Sequence, residues 1–240
     1  MKQIGIGCLI LLIIVIAGGV AVGLWFRYEV NKAGGFEVWK NKKISEFIDY
    51  SVHQVLAELP LNKQEKESIT RVVNQFSQRL TRGEIPSEQV AKVILGFYGS
   101  SLPEAFIALN FQGKYLKRDT GGALQVNRFV NGLLGGKISI KDAEPFFQLV
   151  MVNPEALDQL HNLKSSEHQD ISQKLKLREG LSEADISKAV DVLRNTANHA
   201  GMATVRVDLN FYPLLEGILA RAAVASAAES SEAPETVPAR

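Results

Sequence analysis

From Ile4 to Phe26 the chain reads IGIGCLILLIIVIAGGVAVGLWF, 23 residues without a charge. As a helix rising about 1.5 Å per residue, this run is about 34 Å long, enough to cross a hydrocarbon core roughly 30 Å thick. Trp25, Phe26 and Tyr28 stand at its far end, where amphipathic rings settle at the membrane interface. The run predicts a transmembrane anchor over residues 1–26. A cleaved signal peptide is the rival reading, because Met1-Lys2-Gln3 is a short positive start and Ala17 to Gly23 is rich in small residues. A cleavable apolar stretch usually spans about 7 to 15 residues. Here apolar character continues to Phe26 without an A-x-A site, so an uncleaved signal-anchor is expected. Gly7-Cys8 resembles the end of a lipobox, but the apolar run follows it instead of preceding it.

Within the span, Gly19 and Gly23 form a GxxxG. Small residues on one helix face let two backbones approach in lipid, so this face offers a homodimer contact; glycine is also common in membrane helices without any such role. Orientation is contested. Lys2 and the α-amine favour a cytoplasmic N-terminus, whereas Arg27, Lys32, Lys40, Lys42 and Lys43 follow the span closely and pull the other way. Taking the tail as the guide gives a single-pass protein of the cell inner membrane, its folded part on the periplasmic or extracellular side.

Residues 27–43 hold five Lys/Arg against two Glu and read as a basic juxtamembrane linker. Arg27, Lys40, Lys42 and Lys43 could contact anionic headgroups; a solvated linker carrying a topology signal is the plainer reading. Beyond it the charge balances, with 20 basic and 21 acidic side chains from 44 to 225. Such neutrality argues against nucleic acid, whose phosphates call for a basic excess. One cysteine excludes an intrachain disulfide and any zinc site of several thiolates. No Asn-x-Ser/Thr sequon marks a glycosylated ectodomain.

From Ile44 onward the periodicity is helical, and the fold class is all-α: an irregular domain of about eight or nine helices over 44–225. Ile69, Val72, Val73, Phe76 and Leu80 lie on one helix face, with a cap at Asn62 answered by Glu65 and a stop at Gly83. Ser87 can cap the next helix, whose stripe is Val90, Val93, Ile94, Phe97 and Tyr98. Ser101 and Glu104 read as another capping box, with Gly113 as the stop. Leu124 to Leu134 form a helix ending at Gly135-Gly136, and the next starts at Ser139 or Asp142. Pro145 is best tolerated in a first turn, which favours Asp142. Asn153-Pro154-Glu155 opens a helix carrying Leu157, Leu160 and Leu163, and Ser182 to Asp185 caps another. Pro213 opens the last, through Ala222. The remainder, 226–240, is low in large apolar residues and is expected to be disordered.

Residues 204–211, TVRVDLNF, alternate polar and apolar at period two. They read as an extended connector, a strand that pairs with another copy, or a helix in disguise. A second feature is an echo between Leu80-Thr81-Arg82-Gly83-Glu84-Ile85 and Leu133-Leu134-Gly135-Gly136-Lys137-Ile138, with a looser third version around Gly180. A glycine can take the left-handed turn that ends a helix while the next Ile or Leu folds back over it. That mechanism needs no shared ancestry, and the spacing is too uneven for a repeat array.

Residues for catalysis, cofactor or metal are not assigned. Gly132 to Ser139 resembles a phosphate loop, but Asn131 and Ile138 replace the glycine and hydroxyl that a P-loop needs. Asp158-x-x-His161 is a single pair without the Glu-x-x-His partners of a di-iron bundle, so it reads as a surface pair at helical spacing. Acid pairs such as Asp142/Glu144 and Glu179/Glu183 could serve a glycosidase, yet acids at helix starts are ordinary. His53 and His199 have no neighbours resembling a triad or ligand set. The sequence is compatible with two functions: a membrane-tethered interaction or scaffold module of the bacterial envelope, partnered by an envelope protein, and an envelope hydrolase using carboxylates from separate helices.

Overall fold

The computed structural model describes residues 36–85, 88–161 and 175–231. Among them the fold is all-α, with nine helices and no strand: α1 (Phe36–Glu58), α2 (Lys63–Thr81), α3 (Glu88–Tyr98), α4 (Leu102–Tyr115), α5 (Thr120–Leu134), α6 (Ile140–Val150), α7 (Ala156–His161), α8 (Glu183–His199) and α9 (Tyr212–Ser231). The expected span, with Gly19, Gly23, Trp25, Phe26, Arg27 and Tyr28, lies outside the described residues. Within them no helix is long and apolar enough to cross a membrane.

The chain folds as two helical groups that share one core. In the first, α1 packs on α2, and α9 lies across α2 and α3; in the second, α5 packs on α4 and α8, and α6 on α8; α3 and α4 join them. Residues 102 to 109 of α4 are buried without interruption, as befits a helix, at the centre of a domain, that is apolar on every side but for Glu104. Phe97 and Phe211 stack on Phe106 from either side, with ring centroids 6.1 and 5.7 Å away.

Helix α1 starts earlier than the basic linker allows. Asn41, Ile44, Ser45 and Ile48 are buried at spacings of three and four, so the inward stripe begins inside residues 27–43. Lys40, Lys42 and Lys43 therefore sit on a helix, and Lys43 Nζ lies 2.8 Å from Glu46. At the other end α9 continues to Ser231, six residues into the tail expected to begin at 226; residues 232–240 lie outside the description.

Among the described residues three capping boxes form, at Asn62/Glu65, Ser139/Asp142 and Ser182/Asp185. The second corrects the start expected near Asp142: the helix begins at Ile140 and carries Pro145 inside it. The expected box at Ser101 is absent. Ser101 Oγ donates to the Leu133 carbonyl across to α5, and Glu104 is turned into the core. Gly113 is no stop either, since α4 runs on to Tyr115; a Cβ there would meet Pro60 Cδ at 3.6 Å. Pro154 opens a turn, and α7 proper begins at Ala156.

The echo at Gly83 and Gly136 is a shared helix ending. Both glycines have positive φ, 72° and 66°. The bonds Glu84 N–H to Arg79 O and Lys137 N–H to Gly132 O, each 2.9 Å, close a Schellman motif, and Ile85 and Ile138 fold back into the core. The third instance is at Gly201, φ 64°, where Met202 N–H bonds Ala197 O at 2.9 Å. Gly180, the expected third, also has positive φ but ends no helix. Its neighbour Leu177 instead makes an isolated antiparallel bridge with Met151.

Residues 203–211 form an unpaired, non-helical connector held by side chains instead of a sheet. Val207 N–H and C=O are both bound by the Asn127 amide, at 3.1 and 2.9 Å, and Leu209 N–H donates to Glu65 Oε1 at 2.9 Å. Asn62 Nδ2 donates to Asp208 Oδ1 at 2.8 Å. Leu209 and Phe211 enter the core while Val205 and Val207 remain exposed.

Candidate functional site

The faces of α2 and α3 that periodicity marks as core turn out to border an opening. Between α1, α2, α3 and α9, floored by Phe106 of α4, lies a cleft of about 140 Å³. Ile48 and Val52 come from α1, Val72, Val73 and Phe76 from α2, Val93 and Phe97 from α3, and Leu215 and Ile218 from α9. Every lining residue is apolar. Val52, Val73, Val93, Phe97 and Leu215 are only partly buried, so the cleft reaches the surface along this edge. Gly96 lets α9 settle closely on α3, because a Cβ there would stand 3.0 Å from Ile218 Cγ2.

With no donor or acceptor on its wall, the cleft rejects polar groups. Burying an unpaired amide or hydroxyl costs about 2 to 7 kcal/mol, and an apolar cavity of about this size stays dry and takes up small hydrocarbons. It suits one aromatic or branched aliphatic group.

A second cluster lies at the α4–α7 junction. Glu104 is wholly buried; its Oε1 lies 2.6 Å from His161 Nε2, and its Oε2 is buried with no hydrogen-bond partner among the described residues. The hydrogen bond to Glu104 raises the His161 pKa above its ordinary value, against the opposing effect of burial, and Asp158 adds to the rise. His161 is thus more than the surface partner of Asp158 that its spacing suggests. Glu65, the other buried acid among the described residues, accepts from Asn62 N–H and Leu209 N–H, and Arg206 Nη2 lies 3.9 Å from its Oε2.

The residues singled out from sequence do not converge. Asp142 caps α6, its pKa lowered by the Ser139 hydroxyl and amide, and Glu144 accepts from Gln148. Glu179 and Glu183 are exposed, as are His53 and His199. Among the described residues no group of three His, Cys, Asp or Glu side chains is placed to hold a metal ion. Neither the cleft nor the Glu104–His161 pair was visible in the sequence. Helical stripes look alike whether they pack or border an opening, and Glu104 and His161 are 57 residues apart.

Comparisons with protein-family models, with curated proteins and with solved structures return no match for this chain.

Proposed function

We infer that this chain is a membrane-anchored, non-catalytic interaction module of the bacterial cell envelope. In this reading Ile4–Phe26 holds it in the inner membrane, and its helical domain stands on the periplasmic or extracellular side. It engages an envelope protein by receiving one apolar side chain of that partner in the cleft between α1, α2, α3 and α9. The observation that carries the reading is the cleft itself, which is open at one edge, walled only by apolar side chains, and sized for one such group. Helix-in-groove and anchor-in-pocket recognition work this way, with a buried apolar anchor supplying most of the affinity.

The test uses the full chain in its own membranes. A photo-reactive phenylalanine analogue at Val73, on the cleft wall, should give one discrete protein adduct, and Val93→Trp, which fills the cleft, should abolish it. No adduct, or one indifferent to Val93→Trp, would refute the reading. A C-terminal reporter active only outside the cytoplasm tests the topology separately.

A further inference from the structure

The connector after α8 has a free edge. Asn127 can hold both N–H and C=O of Val207 only if the two point to one side, as they do in a β-strand. The backbone groups of the flanking residues, Arg206 and Asp208, then point to the opposite side, and they have no hydrogen-bond partner among the described residues. Both residues are exposed, as are Val205 and Val207, at 62% and 49%. An isolated extended segment anchored along one edge and open along the other is a template for adding a strand.

We propose that the open edge pairs with the same segment of a second copy, antiparallel and centred on Val207, making the chain a two-fold homodimer through residues 205–209. The charges select this register. Centred on Arg206 or on Asp208, the strands would set like charges opposite one another, which is destabilising. Centred on Val207, Arg206 faces Asp208 of the second copy, and Asp208 faces its Arg206. These two are also the residues whose backbone groups point outward, so each pair exchanges an N–H and a C=O in both directions, giving four backbone bonds. Val207 meets Val207 of the second copy at the close, non-hydrogen-bonded position, covering the apolar surface that the monomer leaves in water. An isologous contact of this kind closes on itself and does not propagate. It depends neither on the cleft nor on the glycines of the span.

The test is disulfide trapping of the full chain, with Cys8→Ser as background. Residues facing each other at a non-hydrogen-bonded antiparallel position have Cα atoms about 4.5 Å apart, within disulfide range. Val207→Cys should therefore oxidise to a covalent dimer. Val205→Cys, although more exposed, should not, because the two copies of residue 205 would stand about 14 Å apart; its cross-linked fraction should be about tenfold lower. In the Val207→Cys chain, adding Asp208→Lys should remove the cross-link, and Arg206→Glu on top of it should restore it. Thermal melts of each variant show that the domain remains folded. Cross-linking that is absent at Val207, equal at 205 and 207, or indifferent to the charge exchange would overturn the proposal.

Discussion

Glu104 places a carboxylate where no solvent reaches it, with His161 as its one hydrogen-bond partner among the described residues. Removing the partner of a buried ion pair leaves an uncompensated charge and costs about 3 to 5 kcal/mol, whereas replacing both members by apolar residues is often neutral. His161→Ala should therefore lower the melting temperature by about 10 °C at roughly 2 to 4 °C per kcal/mol. The double change Glu104→Leu/His161→Leu should recover most of the loss; a double variant as unstable as the single one would contradict this account. The pair also sets a pH dependence. Because the His161 pKa is raised in the fold, mainly by its bond to Glu104, the folded state binds that proton more tightly than the unfolded state. The added stability is complete below the unfolded value of about 6.5 and is lost as pH rises through the raised folded value. Melting temperature should fall between pH 6 and pH 9, and His161→Gln should flatten that fall.

Arg128 works in a different way. It is buried and uses Nε for the Ala203 carbonyl, Nη1 for Gln125, and Nη2 for Asn198 and the Met202 carbonyl, all at 2.7 to 2.9 Å. Its planar fork ties α5 to the end of α8 and the start of the connector. Lysine cannot reproduce a fork, so Arg128→Lys should cost about 2 to 4 kcal/mol by chemical denaturation.

At the scale of elements, three helices end by the same device, and two glycines in one of those endings separate conformational from steric cost. Gly136 has φ 66° and open space around its Cα, so Gly136→Ala meets only the left-handed penalty of about 1 to 2 kcal/mol. At Gly132, one turn earlier, a Cβ would collide with Ile138 Cδ1 and lie 2.6 Å from Cγ1. Gly132→Ala should cost about 1 to 3 kcal/mol by overpacking, and Ile138→Val, which removes the Cδ1 contact and leaves a Cγ, should relieve part of that cost while doing nothing for Gly136→Ala. Denaturation midpoints of the two pairs decide it.

These endings were legible because they are local: a glycine, a preceding helical stripe and a following Ile suffice. The ending at Gly201 is not legible in this way, because Ala203 stands where the other two have the Ile that folds back. The start of α6 was misplaced for a different reason. Pro145 alone favours a later start, whereas the fold sets its cost against the reciprocal cap of Ser139 and Asp142 and the burial of Ala143, Phe146, Phe147 and Val150. What the sequence could not reveal is tertiary. Asn127 and Glu65 satisfy the connector's backbone from 80 and 144 residues away, and no periodicity encodes such pairings.

The whole molecule is organised by the return of its C-terminal helix. After the second helical group has formed through α8, the connector carries the chain back across Asn127 and Glu65, and α9 closes over α2 and α3 of the first group. The join is the stack of Phe97, Phe106 and Phe211, in which Phe106 of the central helix lies between a residue of the first group and the last residue of the connector. If this stack makes the groups one cooperative unit, its loss should uncouple them. Phe211 is wholly buried, and truncating such a ring costs about 3 to 5 kcal/mol. It also sits immediately before α9, so α9 loses its fixed origin along with the contact. Phe211→Ala should therefore lower the melting temperature by about 10 °C and expose α2 and α3 amides to hydrogen exchange before those of α5 and α8. In the parent protein the two sets should exchange together at the global limit. Uniform loss of protection across both groups in the variant would mean that the connector's polar anchors at Glu65 and Asn127, and not the aromatic stack, hold α9 in place.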